Sequence, residues 1–376
     1  MVFTDAQVTV LLGPNGSGKS LLLRQKAIGA HSFDSVIAIS PTIYDRFDRL
    51  RKKNFHLFTA RHGRAGTSLV LRNALRAVSS ENLTLLKKIS TSLRYVDFDP
   101  VIGVRLVGFD DSWMHERESR LSRVEEEELE WLTRKWRSMS EPGSDTMWLG
   151  LDDFSFSEIS KSQFSRIAEL EEKIRSCGMA RKVHYLLRRK GRPLLPHEAS
   201  SGEITFVATI VHIATHLKER SLVLVDEPET SLHPVWQKDY IKFMMDIFNY
   251  EQPTFLIATH SPILISGAEV FTDGITVKRF NSDMGSFEAF QPNKQSLERM
   301  LYDFFGAITP KNHFLSEITV DLLNKLSGGE LTLNLALTNL EMIKERCFDE
   351  EQRELIAGVI RVAQDIDRRK GSQVNE

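Results

Sequence analysis

Residues 7–23 read QVTVLLGPNGSGKSLLL, and this stretch decides the fold. A short β-branched and leucine-rich run (7–12) leads into a glycine-rich segment, then into a leucine-rich stretch starting near Ser20: strand, loop, helix. Gly13, Pro14, Asn15, Gly16, Ser17, Gly18, Lys19 and Ser20 satisfy the phosphate-loop pattern G-x-x-x-x-G-K-[ST], in the strand-then-helix context it requires. Glycines let backbone N–H groups turn inward around phosphate oxygens, and the helix start adds the positive end of its dipole. Lys19 is then placed to reach β- and γ-phosphates, and Ser20 becomes a candidate Mg²⁺ ligand. An ordinary glycine-rich turn does not need all eight positions in that order.

A second informative stretch is LVLVDEPE (222–229). Four apolar strand residues deliver Asp226 to the carboxyl edge of a buried sheet, where open α/β folds bind nucleotides. Asp226 is expected to hold Mg²⁺ through water, and Glu227 to polarise an attacking water as general base. IATHSP (257–262) ends a strand on His260, 34 residues beyond Asp226, with the γ-phosphate as its expected contact. A lone histidine at a strand end is more often a satisfied polar residue, so its candidacy rests on these neighbours. SSGE (200–203) opens a helix predicted over 204–217, where Ser201 and Gly202 offer a hydroxyl and exposed backbone to an anion.

Together GPNGSGKS, SSGE, LVDEPETSLHP and ATHSP resemble the ABC-type ATPases of the RecF, OLD and PtuA kind. TSLHPVWQ (230–237) and AISPTIYDRF (38–47) are most similar to PtuA, the ATPase of Septu and related retron antiphage systems; in motif terms the resemblance covers residues 1–50 and 195–290. It implies ATP and Mg²⁺ as cofactors, with Lys19 and Ser20 on phosphate and metal, Asp226 on the metal, Glu227 on water and His260 as the switch. It also implies that Ser201 and Gly202 act in trans, with Ser231 in the crossing segment, so a homodimer or higher homo-oligomer is expected. The function implied is that of an ATP-hydrolysing regulatory subunit of an antiphage defence complex, with a separate HNH nuclease (PtuB) as effector. A DNA-repair ATPase of the RecF or SMC kind, which a longer arm would favour, is one alternative. The ATPase of another two-gene defence system, paired with a Toprim nuclease, is a second. EPETSLHP speaks against a third, the nucleotide subunit of a membrane transporter.

Other features depart from that pattern or imitate parts of it. No glutamine stands at 40–50, where such ATPases place one to touch Mg²⁺ and water. LSGGE (326–330) spells the ABC signature better than SSGE, ahead of which Ala199 replaces the usual leucine. It falls 100 residues after the acidic strand, however, and reads as a glycine-terminated helix end. His212 and His216 have the spacing of a zinc pair, but Ile213 occupies the glutamate position of HExxH, so a structural role is expected. Basic clusters at 46–53 (Arg46, Arg49, Arg51, Lys52, Lys53) and 181–192 (RKVHYLLRRKGR) are ordinarily solvated faces; the alternative is a track for a nucleic-acid backbone.

The chain has 376 residues, and Lys+Arg 49 against Asp+Glu 51 leaves a net charge of −2, which excludes a global basic field. Cys177 and Cys347 are its only cysteines, too few for a disulfide framework or a Cys-rich zinc module. No apolar run approaches the ~18 residues of a membrane span, and the amino terminus lacks a signal-peptide pattern. A cytoplasmic protein with no membrane partner is expected. The absence of an NKxD motif favours ATP over GTP, and no nuclease motif is found. The expected fold is α/β, a P-loop sheet of ABC type. Residues 1–111 and 200–290 are its two ATPase parts, 112–199 a helical arm holding four of the five tryptophans, and 291–376 a helical partner-binding region.

The phosphate-loop assignment has a direct test. Lys19→Ala should abolish ATP turnover while the circular-dichroism spectrum stays that of the parent. Normal turnover by a well-folded variant would refute it.

Overall fold

The computed structural model describes residues 7–42, 45–47, 50, 52–60, 63–77, 83–114, 122–140, 145–152, 158–268, 274–281, 284–290, 301–302, 313–347 and 350–373. In chain order the strands are β1 (Val8–Leu12), β2 (Ser35–Ser40), β3 (Phe55–Thr59), β4 (Val101–Val107), β5 (Thr146–Gly150), β6 (Lys182–Arg189), β7 (Arg192–Leu194), β8 (Ser221–Asp226), β9 (Thr254–Thr259), β10 (Ile275–Asn281) and β11 (Ser286–Phe290). The helices are α1 (Lys19–Gly29), α2 (Gly63–Arg76), α3 (Leu83–Tyr95), α4 (Arg123–Met139), α5 (Glu158–Glu169), α6 (Glu171–Ser176), α7 (Ser201–His216), α8 (Pro234–Ile247), α9 (Pro262–Ala268), α10 (His313–Gly328), α11 (Leu333–Glu345) and α12 (Glu350–Gln373).

The main sheet has seven strands in the order β11–β10–β1–β9–β8–β2–β3, all parallel except for the antiparallel β11. Continuous apolar strands are what a sheet covered on both faces requires, and the side chains divide accordingly. Val10, Leu12, Ile37, Ile39, Val223, Val225, Phe255 and Ile257 enter the larger core beside Phe206 and Ile210 of α7 and Tyr240 and Met244 of α8. Leu11, Val36, Ala38, Leu222, Leu224, Leu256 and Ala258 face the opposite way, onto Leu23 and Ala27 of α1. The alternation fixes strand register, because a one-residue slip would exchange the two cores.

Helix α7 begins three residues before the predicted start. Ser200 caps it: its hydroxyl accepts from the Glu203 N–H, and the Glu203 carboxylate accepts from the Ser200 N–H at 3.1 Å, a reciprocal capping box.

Where the sequence predicts a helical arm, residues 112–199 carry α4, α5 and α6 and also β5, β6 and β7. These strands join β4 in an antiparallel sheet of order β5–β4–β6–β7. The basic run 181–192 is thus mainly a hairpin. Val183, Tyr185 and Leu187 are buried on one face and alternate with Lys182, His184 and Arg188, while Leu186, on the other face, is buried as well, so the period-2 pattern is incomplete and masked by the cations. Trp113 and Trp136 of the same region are buried in the core. On the small sheet Trp148 lies flat against Gly103, where a Cβ would come 2.6 Å from the indole ring. Helices α10, α11 and α12 pack on one another around Leu315, Leu326, Leu340 and Ile356.

Candidate nucleotide site

Strand register aligns three carboxyl ends. Leu12 of β1 pairs with Thr259 of β9, and Ala258 of β9 pairs with Asp226 of β8. The phosphate loop, the acidic pair and His260 therefore emerge side by side. Gly16 and Gly18 adopt positive φ (82° and 84°), which L side chains rarely adopt. A Cβ on Gly13 would fall 2.8 Å from the Ser17 hydroxyl. Pro14, Asn15, Gly16 and Gly18 are exposed. The Ser17 hydroxyl is buried, with no hydrogen-bond partner among the described residues, so it is available to a ligand oxygen in the loop.

Lys19 opens α1 and is almost wholly buried. Its ammonium donates to the carbonyls of Gly13 (2.8 Å) and Pro14 (3.0 Å) and lies 3.4 Å from Glu227 Oε1. Ser20 donates to Asp226 Oδ1 at 2.9 Å. Asp226 is 3% exposed, and burial pushes its carboxyl up to about 6 against the opposing effect of the Ser20 hydrogen bond. A buried carboxylate paired with one hydroxyl is a two-oxygen set of the kind that accepts a hard divalent cation.

Glu227 sits in the left-handed region at φ 53°, and its N–H donates to the Ala258 carbonyl at 2.8 Å. That conformation is uncommon for a residue with a Cβ. It turns the side chain so that Oε1 approaches Lys19 and Oε2 lies 2.7 Å from His260 Nδ1. The structure thus gathers Lys19, Ser20, Asp226, Glu227 and His260. It adds one residue that sequence reasoning missed, Glu229, whose Oε1 lies 3.2 Å from His260 Nδ1. The available signal was a second glutamate two positions after the first, in a turn known to lie near the loop.

Ser201, Gly202 and Ser231 form a separate group. They line an open groove of about 720 Å³ with Glu203, Thr230, His233 and Trp236, and none of Lys19, Ser20, Asp226, Glu227 or His260 borders it. Gly202 is needed for packing: a Cβ there would meet the Ser231 carbonyl oxygen at 2.3 Å. The carboxyl end of β2, which lacks the customary glutamine, carries Ser40 and Thr42 with hydroxyls 3.3 Å apart.

The family model described as "AAA domain, putative AbiEii toxin, Type IV TA system" matches residues 39–266. The chain belongs to this family. It is an AAA-type P-loop ATPase, and its α/β fold with a largely parallel sheet is the one such domains share. A stretch of 66 residues is 36% identical to Protein ea59 of Escherichia phage lambda, covering 18% of this chain and 13% of that protein's length. Among solved structures, similarity extends to "an inward-facing conformation of a putative metal-chelate type ABC transporter" (12% identity, TM-score 0.31, 81% of this chain and 80% of that one). It also extends to a dimeric bacterial ABC transporter cassette (16%, TM-score 0.26, 74% and 82%). A third is cbiO1 from Clostridium perfringens, part of the cbiONQ ABC transporter complex (16%, TM-score 0.24, 72% and 73%).

Within this AAA chain the imitating motifs resolve into structural elements. LSGGE closes α10: Gly329 has φ 80°, its N–H donates to the Leu326 carbonyl, and the Glu330 N–H donates to the Lys325 carbonyl, a Schellman cap. His216 packs between His56 and His212, with ring centroids 4.2 and 4.4 Å away and planes tilted by 32° and 45°, and burial pushes His56 down to about 4. Among the described residues the one set of three converging ligand groups is Glu227, Glu229 and His260. Of the basic clusters, Lys52 donates to the carbonyls of Ala27 and Ile28 at the end of α1, Arg188 pairs with Asp99 and Arg189 with Glu203. Arg49 and Arg51 lie outside the described residues.

The raised titration of Asp226 has a defined sign. The folded chain holds the proton more tightly than the unfolded one, so this group's contribution to stability falls as pH rises from 3.8 to about 6 and stays unfavourable above. Asp226→Asn, which keeps an oxygen for Ser20, should therefore raise stability at pH 8 without nucleotide by about 1–3 kcal/mol, and by much less near pH 4. Urea midpoints at the two pH values measure this; an equal or lower midpoint at pH 8 would contradict it.

Proposed function

We propose that this chain is the ATP-binding and ATP-hydrolysing regulatory subunit of an antiphage defence complex of the Septu or retron-associated PtuA kind. It works as a homodimer or higher homo-oligomer and controls a separate HNH nuclease. The convergence of Lys19, Ser20, Asp226, Glu227 and His260 at the aligned ends of β1, β8 and β9 carries the ATPase part of this reading. The family description names a toxin–antitoxin system, which supports a role in defence over one in transport.

In this reading the ATP phosphates lie in the loop 13–20, on its inward N–H groups and the Ser17 hydroxyl. Lys19 balances their charge. Ser20 and Asp226 would hold Mg²⁺, which supplies neutralisation of the charge developing between the β- and γ-phosphates. Glu227 takes the proton of the attacking water, and its neighbours Lys19 and His260 keep its carboxylate oriented toward the γ-phosphate. Ser201, Gly202 and Ser231 lie apart from that group, so one chain offers two half-sites, each completed by the other protomer. Residues 1–111 and 200–290 act as the ATPase lobe, 112–199 as an inserted arm, and 291–376 as the effector-binding region.

Complementation tests the shared site. Ser201 is exposed, so Ser201→Glu introduces a carboxylate without the collision that any side chain at Gly202 would cause. Lys19→Ala and Ser201→Glu chains should each be inactive, and their mixture should regain about a quarter of the parent rate, because half of randomly paired dimers have one intact site. No recovery would refute the composite site. The effector assignment predicts that the purified chain with ATP and Mg²⁺ leaves DNA and RNA intact, and that cleavage begins when a co-purifying HNH chain is added. Cleavage by the ATPase alone would refute it.

A further inference from the structure

Glu229 has no part in the mechanism above, yet its carboxylate is the most heavily engaged acid of the site. Its side chain is 5% exposed, on the turn 228–231 that follows β8. Oε1 accepts from the Thr259 hydroxyl at 2.7 Å and from the His260 N–H at 2.8 Å. The Thr259 hydroxyl in turn accepts from the Ser261 N–H at 2.8 Å, and the Ser261 hydroxyl donates to Gln237 Oε1 at 2.9 Å. Gln237 closes the ring, its amide donating to the carbonyls of Leu232 (3.0 Å) and Glu229 (3.4 Å). The turn after β8 is thus joined to the end of β9 by this buried carboxylate and to helix α8 by Gln237.

The consequence falls on His260. Its Nδ1 is buried, 2.7 Å from Glu227 Oε2 and 3.2 Å from Glu229 Oε1 but not aligned for a hydrogen bond to either, while the side chain as a whole is 40% exposed. A lone pair at Nδ1 would face two carboxylates, which disfavours the Nε2–H tautomer, and the solvent-facing part of the ring is the side bearing Nε2. A neutral amide at 229 could accept the same bonds from Thr259 and the His260 backbone, but it would present no negative charge to Nδ1.

We propose that Glu229 is a positioning residue for ATP hydrolysis: its buried carboxylate fixes the orientation and Nδ1–H tautomer of His260, and through His260 the placement of Glu227. This rests on the ATPase reading and deepens it. The same turn carries Ser231, whose carbonyl abuts Gly202, so the residue that orients the histidine also anchors the wall of the groove.

The test uses the full chain and two readouts. In steady-state kinetics Glu229→Gln should lower kcat by about tenfold or more, with the ATP KM within about twofold. In a His260→Gln background the same substitution should change kcat by less than about twofold, because the pair acts as a unit. Multiplying effects, or an unchanged kcat in the single variant, would overturn the proposal. Nitrogen-15 histidine NMR, with His260→Gln to assign the signal, reads the tautomer independently of turnover: Nδ1–H in the parent and a mixture in Glu229→Gln. An Nε2–H parent, or a tautomer unmoved by Glu229→Gln, would overturn it as well. Equal turnover by the parent and Lys19→Ala would instead fault the ATPase reading, and the NMR result would still decide the role of Glu229.

Discussion

A negative charge kept out of water at the end of a buried strand is the constraint on which the rest of the site depends. Asp226 is delivered there by β8, whose apolar residues face two different cores and leave no freedom of register. A carboxylate in that place is costly unless a cation or donors compensate it. Two neighbours answer that need, the Ser20 hydroxyl directly and Lys19 from the first turn of α1, against the like charges of Glu227 and Glu229. The phosphate loop and the acidic strand are therefore complementary halves of one electrostatic arrangement, held at a fixed distance by parallel pairing through β9.

A second layer of order lies in the turn after β8. Rather than running free, it is fastened by Glu229 to the end of β9 and by Gln237 to α8, and its backbone closes on Gly202 of α7. The acid–histidine cluster and the Ser201–Ser231 groove share no lining residues but do share this rigid connector. Small displacements on one side have few ways to dissipate before reaching the other, because close-packed interiors deform poorly.

How much of this was legible in the sequence depended on whether the signal was local. The phosphate loop was readable because eight consecutive residues carry it, and the central strands because burial on both faces leaves uninterrupted apolar runs. Chain position, not spelling, separated SSGE from LSGGE, and Gly329 in its Schellman cap bears out the helix-end reading of the latter. Strand β6 escaped notice because Lys182, His184 and Arg188 lie among Val183, Tyr185 and Leu187, and their charge dominated the composition. Glu229 escaped because its partners, Thr259 and His260, lie some thirty residues away, brought close by the β8–β9 pairing. Short-range patterns name the parts of such a site; contacts across strands decide which parts touch.

The backbone at Glu227 has a bearing on protein engineering. A φ of 53° is tolerated by glycine and asparagine and resisted by glutamate. Any optimisation scored on thermal robustness alone would favour replacing this residue, since stabilising substitutions tend to accumulate where function holds a chain away from its energetic optimum. With Glu227 as the general base proposed above, such a redesign would yield a sturdier, inert protein whose overall shape gave no warning of the loss. The strained torsion therefore marks a position to hold constant when this scaffold is altered.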